Sequence, residues 1–159
     1  MTAVRDKGAE GRAPDLRLDD FLCFAVYSAG HAFNRFYKPL LDELGLTYTQ
    51  YLAMVLLWEE DRRTVGQLGE KLFLESNTLT PLLKRLEVMG YVVRTRDAAD
   101  ERVVRVRLTE KGRALREKAA DVPRCVLDAT RLEGADAVRL TRELAQLRAR
   151  LLSSRDVRA

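Results

Sequence analysis

The period of the hydrophobic pattern changes near the middle of this chain, and that change most constrains its fold. Before Gly90, apolar residues recur every three or four positions, which is typical of amphipathic helices. In the segment 102–108, Val104, Val106 and Leu108 alternate with Arg105 and Arg107, and a period of two indicates a half-buried strand. The segment 91–96 is expected to pair with this strand through the polar loop 97–101. The sequence therefore predicts helices followed by a basic β-hairpin.

Two capping boxes mark the starts of helices before the hairpin. Thr47 and Thr64 each precede a glutamine by three residues, so that a helix is expected after each of them, the first running through Trp58. The next helix, in the segment 75–86, is expected to start from a Ser/Asn cap and to tolerate Pro81 near its start. Four leucines are expected on its buried side: Leu79, Leu82, Leu83 and Leu86.

Longer helical patterns flank this region. Apolar residues recur at helical spacing over 22–44, with Pro39 expected to bend or end the helix and Gly45 to close it. After the hairpin, a helix is expected to begin at Thr109 and to break near Pro123. An apolar stripe at the end of a short chain needs a partner surface, and a second copy of the chain is the simplest one. That stripe consists of Leu140, Leu144, Leu147 and Leu151.

Helix, short helix, helix and basic hairpin is the order of a winged helix-turn-helix. The predicted fold is therefore mainly α with a small β-hairpin, and it dimerises through its N- and C-terminal helices. We expect a flexible extension over 1–17 and a single domain over 18–159. Within that domain the winged helix-turn-helix spans about 47–108, between dimerisation helices at about 18–45 and 109–155.

Composition narrows the class of protein. The chain has 159 residues and a formal net charge of +4, which permits nucleic-acid binding without demanding it. It has no apolar run long enough to cross a bilayer, so we expect a cytoplasmic protein with no membrane partner. Cys23 and Cys125 form no C-x-x-C motif, and His31 is the single histidine. These features predict neither a metal site nor a cofactor.

The third helix and the hairpin carry the groups expected to contact double-stranded DNA. Hydroxyl and amide groups on the helix can form hydrogen bonds with base edges and phosphates. In the hairpin, Asp100 is expected to orient Arg102 toward the minor groove. Alternatively, these are ordinary exposed polar residues. Two modules in a dimer would fit a palindromic operator. The predicted DNA-contacting residues are Ser76, Asn77, Thr78, Thr80, Lys84, Arg85, Arg94, Arg96, Asp100 and Arg102.

Cys23 has three tyrosines that could support a thiolate, because phenolic O–H groups that donate to sulfur favour its charged form. Tyr27 lies one helical turn beyond Cys23, whereas Tyr37 lies about 21 Å along a continuous helix and cannot reach its own Cys23. Tyr37 and Tyr48 could touch the sulfur only across a dimer interface or after a chain reversal at Pro39. The alternative is that Cys23 is a small buried core residue.

Several motifs resemble the organic-hydroperoxide-resistance repressors, the OhrR-type branch of the MarR family. The resemblance covers about residues 18–128. General MarR features lie at 100–102 and 108–112, while the cysteine with its tyrosines marks the branch. The matching segments are 22–27, 37–42, 46–53, 78–85 and 100–102.

The resemblance implies a redox-sensing repressor that is not an enzyme. It implies that Cys23 is oxidised by an organic hydroperoxide to a sulfenic acid, with Tyr37 and Tyr48 of the partner subunit hydrogen-bonded to the thiol. In two-cysteine members, a second thiol of the partner chain then forms an intersubunit disulfide, for which Cys125 is the candidate. The disulfide would turn the DNA-binding modules out of operator register and release the DNA.

Two other functions stay open. In the first, a MarR-type repressor senses a small aromatic ligand in a pocket formed by Tyr27, Phe36 and Trp58, which Cys23 merely lines. That alternative predicts that a Cys23→Ser variant still releases DNA when ligand is added. In the second, the protein is a thiol peroxidase, which predicts multiple turnovers with a recycling reductant.

Overall fold

The structure of the protein, a computed structural model, describes residues 16–154. Most of the predicted extension over 1–17 therefore lies outside the described residues. The chain separates into two compact units, Met1–Arg35 and Phe36–Ala159, and the first long helix runs across the boundary between them. The elements below belong to the second unit, apart from a 3₁₀ turn at Leu18–Asp20 and the N-terminal part of that helix.

Helices and one hairpin make up the described residues, which confirms the predicted fold class. Helices α1 to α4 precede the hairpin of β1 and β2, and α5 to α7 follow it. Their bounds are α1 Leu22–Asp42, α2 Tyr48–Glu59, α3 Val65–Leu72, α4 Ser76–Val88, β1 Val92–Arg96, β2 Val104–Leu108, α5 Glu110–Lys118, α6 Val122–Thr130 and α7 Gly134–Ser153.

Helix α1 continues through Pro39 and ends at Asp42, so this proline does not terminate it. The chain reverses at Gly45, whose φ of 68° is a left-handed conformation that glycine adopts without steric cost. The backbone N–H of Leu46 donates to the carbonyl of Leu41 at 3.0 Å, and both leucines are buried. This is the pattern of a Schellman C-cap, which directs the chain into α2.

The predicted capping boxes are present at both threonines. The backbone N–H of Thr47 donates to the side chain of Gln50 at 2.9 Å, and that of Thr64 donates to Gln67 at 2.8 Å. In each box the threonine hydroxyl accepts from the glutamine backbone N–H in return. These reciprocal bonds satisfy donors that the first turn of a helix leaves unpaired.

The predicted Ser/Asn cap of α4 is wrong. Glu75 is the last residue with extended dihedral angles and occupies the N-cap, where its side chain makes no capping hydrogen bond. Ser76 and Asn77 already lie in the first helical turn, so neither occupies the capping position. The helix nevertheless continues through Pro81, as expected for a proline near a helix start.

The hairpin pairs β1 with β2 in antiparallel register from Val92 opposite Leu108 to Arg96 opposite Val104. The backbone N–H of Val106 also donates to the carbonyl of Arg63 at 2.9 Å, so the segment before α3 lies along β2. The predicted alternation is confirmed, because Val106 and Leu108 are buried while the arginines between the apolar residues are exposed.

The core of the second unit lies between α2, α3, α4 and the hairpin, with the end of α1 and α5 packed against it. It holds the helix-turn-helix and the hairpin in one body by burying leucine side chains, each worth about 2 kcal/mol. The largest fully buried residues are Leu41, Met54, Leu57, Leu68, Leu79, Leu83, Leu86, Val92 and Val106.

Candidate nucleic-acid interface and thiol sites

Helix α4 divides into a buried and an exposed side. Leu79, Leu83 and Leu86 are buried, and Leu82 is half-buried, as the pattern predicted. Thr80 is half-buried. This packing leaves one side of the helix to solvent, with hydroxyl, amide and cationic groups close together. The exposed predicted residues are Ser76, Asn77, Thr78, Lys84 and Arg85.

Arg102 lies at the tip of the hairpin, and its side chain is 95% exposed. Its backbone N–H donates to Oδ1 of Asp100 at 3.0 Å, whereas its Nε lies 3.7 Å from the same oxygen. Asp100 therefore holds the turn mainly through the backbone. The guanidinium stays in solvent, where it could reach a phosphate or a groove.

Arg94 differs from the other arginines of the hairpin because Glu87 of α4 holds it. One carboxylate oxygen of Glu87 accepts from the backbone N–H of Arg94 at 2.8 Å, and the other accepts from its Nε at 2.9 Å. The hydrogen bond from the Arg94 backbone is the largest cause that lowers the pKa of Glu87, with further lowering by the guanidinium. A period of two counted from buried Val92 places Arg94 on the core side, but it places the exposed Arg96 there as well, so this signal alone could not have separated the two arginines.

On the other side of the hairpin, Arg105 forms an ion pair with Asp97 and donates to the carbonyl of Arg62 at 3.3 Å. The backbone N–H of Ala99 and then Arg105 lower the pKa of Asp97. Arg96 and Arg107 are exposed and form no ion pair within 16–154. Arg107 is absent from the predicted contact set, although its alternation with buried valines already placed it outward.

Asp61 joins the hairpin to α5 and was missed by the sequence analysis. Its Oδ1 accepts from the backbone N–H of Leu108 at 2.8 Å, and its Oδ2 accepts from Arg113 at 2.9 Å. One carboxylate thus ties the end of β2 to the following helix. No local sequence motif predicts this role, because Leu108 and Arg113 lie far from Asp61 in the sequence.

Both thiols are free and exposed. Cys23 is the second residue of α1 in the first unit, so the alternative that it is a buried core residue is not supported. Tyr27, four positions on, places its ring edge-on to His31 with 4.4 Å between ring centroids. Cys125 lies in the first turns of α6 in the second unit.

Tyr37 and Tyr48 come together in the second unit. Their ring centroids lie 4.6 Å apart, and Tyr51 lies 6.0 Å from Tyr37. Burial, followed by the neighbouring Tyr48 and Tyr51, raises the pKa of Tyr37 to about 12, and burial also raises that of Tyr48. Neither hydroxyl of the Tyr37–Tyr48 pair hydrogen-bonds to a residue between 16 and 154. The pair therefore offers two neutral donors to an incoming acceptor.

A cleft of about 200 Å³ lies beside Trp58, between α2 and the segment that joins α5 to α6. Its walls are mostly apolar, and Glu59 and Arg116 supply its charges. Trp58 is fixed by a hydrogen bond from its Nε1 to the carbonyl of Gly112 at 2.9 Å. Of the predicted pocket residues Tyr27, Phe36 and Trp58, only Trp58 lines this cleft, so its lining differs from the predicted pocket.

Within the described part of the chain, no group of three or more His, Cys, Asp or Glu side chains could hold a metal ion. Over the same residues, none of the helices combines the length and apolar character needed to cross a membrane.

Comparisons with known proteins agree with this geometry. The profile of the family described as transcriptional regulator SarA/Rot matches residues 35–119. The chain is 44% identical over 138 residues to the organic hydroperoxide resistance transcriptional regulator of Bacillus subtilis, covering 87% of this chain and 94% of that protein. It is similar to AbfR of Staphylococcus epidermidis in its reduced, DNA-bound structure, at 37% identity and a TM-score of 0.70, with 82% of this chain and 90% of that chain covered. It is also similar to the disulfide-formed AbfR, at 36% identity and a TM-score of 0.60, covering 82% and 89%.

Proposed function

Since this chain belongs to the MarR family of transcriptional regulators, in its organic-hydroperoxide-resistance branch, we propose that it is a redox-sensing repressor. The reduced protein binds a palindromic operator as a homodimer. An organic hydroperoxide then oxidises Cys23, and the oxidised dimer releases the DNA. The single observation that carries this proposal is that both thiols are exposed, because a walled-off sulfur could not react with a solute.

The exposed side of α4 and the hairpin support DNA binding. Lys84, Arg85, Arg96 and Arg102 present cations to solvent on these two elements. In winged helix-turn-helix proteins the third helix enters the major groove, and a wing contacts the neighbouring minor groove. The similarity to a regulator solved on DNA supports the same use of these surfaces.

Exposed apolar residues on the first and last helices support a homodimer. Leu144 and Leu151 are 44% and 61% exposed, and α7 has no buried residue. An uncovered stripe of this length on a helix is unfavourable in water, and a second copy would cover it. On α1 and the turn before it, the exposed apolar residues are Leu18, Phe21, Leu22, Val26, Tyr27, Phe33 and Phe36.

The chemistry of sensing is a two-electron oxidation of sulfur. The thiolate of Cys23 attacks one oxygen of the hydroperoxide, the O–O bond breaks, and the leaving alkoxide takes a proton and departs as the alcohol. The sulfur becomes a sulfenic acid. Cys125 of the partner subunit then attacks that sulfur, so that an S–S bond forms and the hydroxyl leaves with a proton as water. Two thiols are oxidised, and one peroxide is reduced.

The paired phenols support the thiolate in this proposal. Along α1, Tyr37 lies about 21 Å beyond Cys23, because each helical residue advances the chain by about 1.5 Å. Donation from Tyr37 and Tyr48 would therefore come from the partner subunit. A phenol is protonated at neutral pH, and because burial raises the pKa of both groups further, they remain neutral donors.

Selection of duplexes from a random-sequence pool tests DNA binding directly. We expect the reduced protein to enrich palindromic duplexes and to release them when cumene hydroperoxide is added. The Cys23→Ser variant should bind the same duplexes and retain them in the presence of peroxide. If the reduced wild-type protein enriches no duplex, the proposed function is wrong.

Non-reducing electrophoresis tests the disulfide. Cumene hydroperoxide should convert the wild-type protein to a covalent dimer, and both Cys23→Ser and Cys125→Ser should abolish that band. A Cys125→Ser variant that still releases DNA on peroxide would show that Cys125 is dispensable, and that oxidation of Cys23 alone is the trigger.

A repressor that responds to a small aromatic ligand is the second candidate, and the cleft beside Trp58 favours it. Arg116, which lines this cleft together with Glu59, could pair with the carboxylate of such a ligand. The Cys23→Ser variant separates the two functions, because only ligand sensing would let benzoate release DNA from it. The thiol peroxidase alternative finds no support, since the relatives and neighbours are transcriptional regulators.

A further inference from the structure

We propose that Glu87 and Arg94 are positioning residues that set the angle between α4 and the hairpin, and that Arg94 does not itself contact DNA. This inference rests on the proposed DNA binding and adds the device that aligns its two contacting elements. It replaces the predicted role of Arg94 as a DNA-contacting residue.

The contact between the two residues is bidentate and crosses from one element to the other. Glu87 lies near the end of α4, and Arg94 lies in the middle of β1. Both carboxylate oxygens are used, one by the backbone N–H of Arg94 and the other by its guanidinium, whose NH2 group lies 2.9 Å away. Charge-assisted pairs of this geometry are stronger and more directional than single neutral hydrogen bonds.

The guanidinium of Arg94 is committed to this contact. Its side chain is 24% exposed, against 95% for that of Arg102. Arg94 lies opposite Val106, a fully buried residue, and so points to the face of the hairpin that packs on the core. Contact with a phosphate would require Arg94 to leave Glu87 and expose that carboxylate next to DNA.

The Glu87–Arg94 pair holds the β1 edge of the hairpin, which within residues 16–154 has no backbone–backbone hydrogen bond like the one that holds the β2 edge. On its other edge, β2 is already bonded to the carbonyl of Arg63 and to Asp61. On the β1 edge, the bond from Arg94 to Glu87 takes that place and reaches the helix expected to enter the major groove. Loss of the pair should therefore free the hairpin to tilt away from the minor groove while α4 stays packed.

Electrostatics and positioning predict opposite effects for Glu87→Gln. Removing a negative charge near DNA strengthens binding by general attraction to phosphate. Removing the ion pair weakens binding if it aligns the hairpin. Glutamine keeps an oxygen that can accept from the Arg94 backbone, so this variant tests the side-chain pair with little change elsewhere.

The experiment measures affinity for a duplex that the wild-type protein enriches from a random-sequence pool, at several salt concentrations. Glu87→Gln and Arg94→Gln should each weaken binding about tenfold, and the double variant should lose no more than either single variant. The slope of affinity against salt should stay unchanged, because no phosphate contact is lost. The matched control is Glu101→Gln in the exposed hairpin loop, which removes the same charge and should bind as tightly as the wild type or more tightly.

Two further measurements separate positioning from a loss of folding. Hydroxyl-radical footprints should lose protection in the minor grooves contacted by the hairpin, while protection by α4 persists. Arg94→Lys keeps the charge but loses the bidentate geometry, and should weaken binding with the same unchanged salt slope. A drop in the slope of about one for Arg94→Gln, or unweakened binding by Glu87→Gln, overturns this inference alone. Failure of the wild-type protein to enrich any duplex overturns the proposed function.

Discussion

At the scale of single residues, the role of an arginine in this protein follows from its nearest carboxylate. Arg94 and Arg105 are held by Glu87 and Asp97, and both of these carboxyl groups have a lowered pKa. Arg102 has only a loose contact, 3.7 Å from Asp100, and remains in solvent. The same residue type thus holds the hairpin together in some positions and leaves its guanidinium in solvent in another.

Arg102→Ala should weaken DNA binding about tenfold, because the variant loses one cation that can contact phosphate or enter the minor groove. The salt slope should fall by about one, and affinity titrations at several salt concentrations measure both effects. Arg139→Ala is the matched control, since Arg139 carries the same charge on α7 and pairs with Asp136. Equal losses in the two variants would show that only net charge matters.

The Tyr37 phenol should make the folded protein sensitive to alkali. Its pKa is raised from 10.0 to about 12 in the folded state, so the unfolded chain loses this proton first as the pH rises. The stabilising difference is present in full below pH 10 and is lost between about pH 10 and 12. Urea unfolding midpoints at pH 9 and pH 11 should therefore differ less for Tyr37→Phe than for the wild type. Identical pH dependence in both proteins would contradict this assignment.

At the scale of elements, short sequence patterns correctly predicted the features that depend on residues close together in sequence. The capping boxes at Thr47 and Thr64 and the alternation in β2 are short-range signals, and each is present in the structure. The start of α4 was missed because Ser76 and Asn77 have the composition of a cap but already have helical dihedral angles. Asp61 was missed because its partners Leu108 and Arg113 lie 47 and 52 residues away in sequence.

Asp61→Asn should destabilise the junction between the hairpin and α5 by about 1 kcal/mol, since the amide can still accept from Leu108 but no longer pairs with Arg113. Asp61→Ala should cost about 2 kcal/mol, because it also leaves the backbone N–H of Leu108 without this acceptor. Urea unfolding measures both. Glu110→Gln is the control, since Glu110 lies 3.6 Å from the same arginine in an exposed pair and should change stability little. A loss for Glu110→Gln equal to that for Asp61→Asn would argue against a special role for Asp61.

At the scale of the whole molecule, the sequence predicted the apolar stripes of the terminal helices but not the surface that covers them. Helical spacing identified the leucines of α7, and the structure leaves Leu140 and Leu144 each 44% exposed. The same distinction applies to the two thiols. Their exposure is a property of the single chain, whereas their proposed disulfide depends on how two chains meet. Tyr37 and Tyr48 lie side by side, which spacing alone could not establish since a chain reversal separates them.

Leu144→Glu should disrupt the proposed dimer, because it places a charge in the middle of the apolar stripe of α7. Burying an unpaired carboxylate costs about 3 kcal/mol, so the dimer dissociation constant should rise about a hundredfold. Sedimentation equilibrium measures this against the mass of the 18.1 kDa chain. Affinity for the selected palindromic duplex should fall together with dimerisation, since two linked modules bind more tightly than one.

Gln146→Glu is the matched control on the same helix, because it introduces the same charge about 200° around the helix from Leu144. It should leave both the dimer and DNA binding close to those of the wild type. A Leu144→Glu variant that dimerises as tightly as Gln146→Glu would mean that the leucines of α7 face something other than a second copy. The subunit contacts that bring Cys23 near Cys125 of the partner would then have to come from α1 and not from α7. Peroxide-dependent crosslinking of the Leu144→Glu variant tests that route, because Cys125 of one chain must reach the sulfenic acid of the other when the disulfide forms.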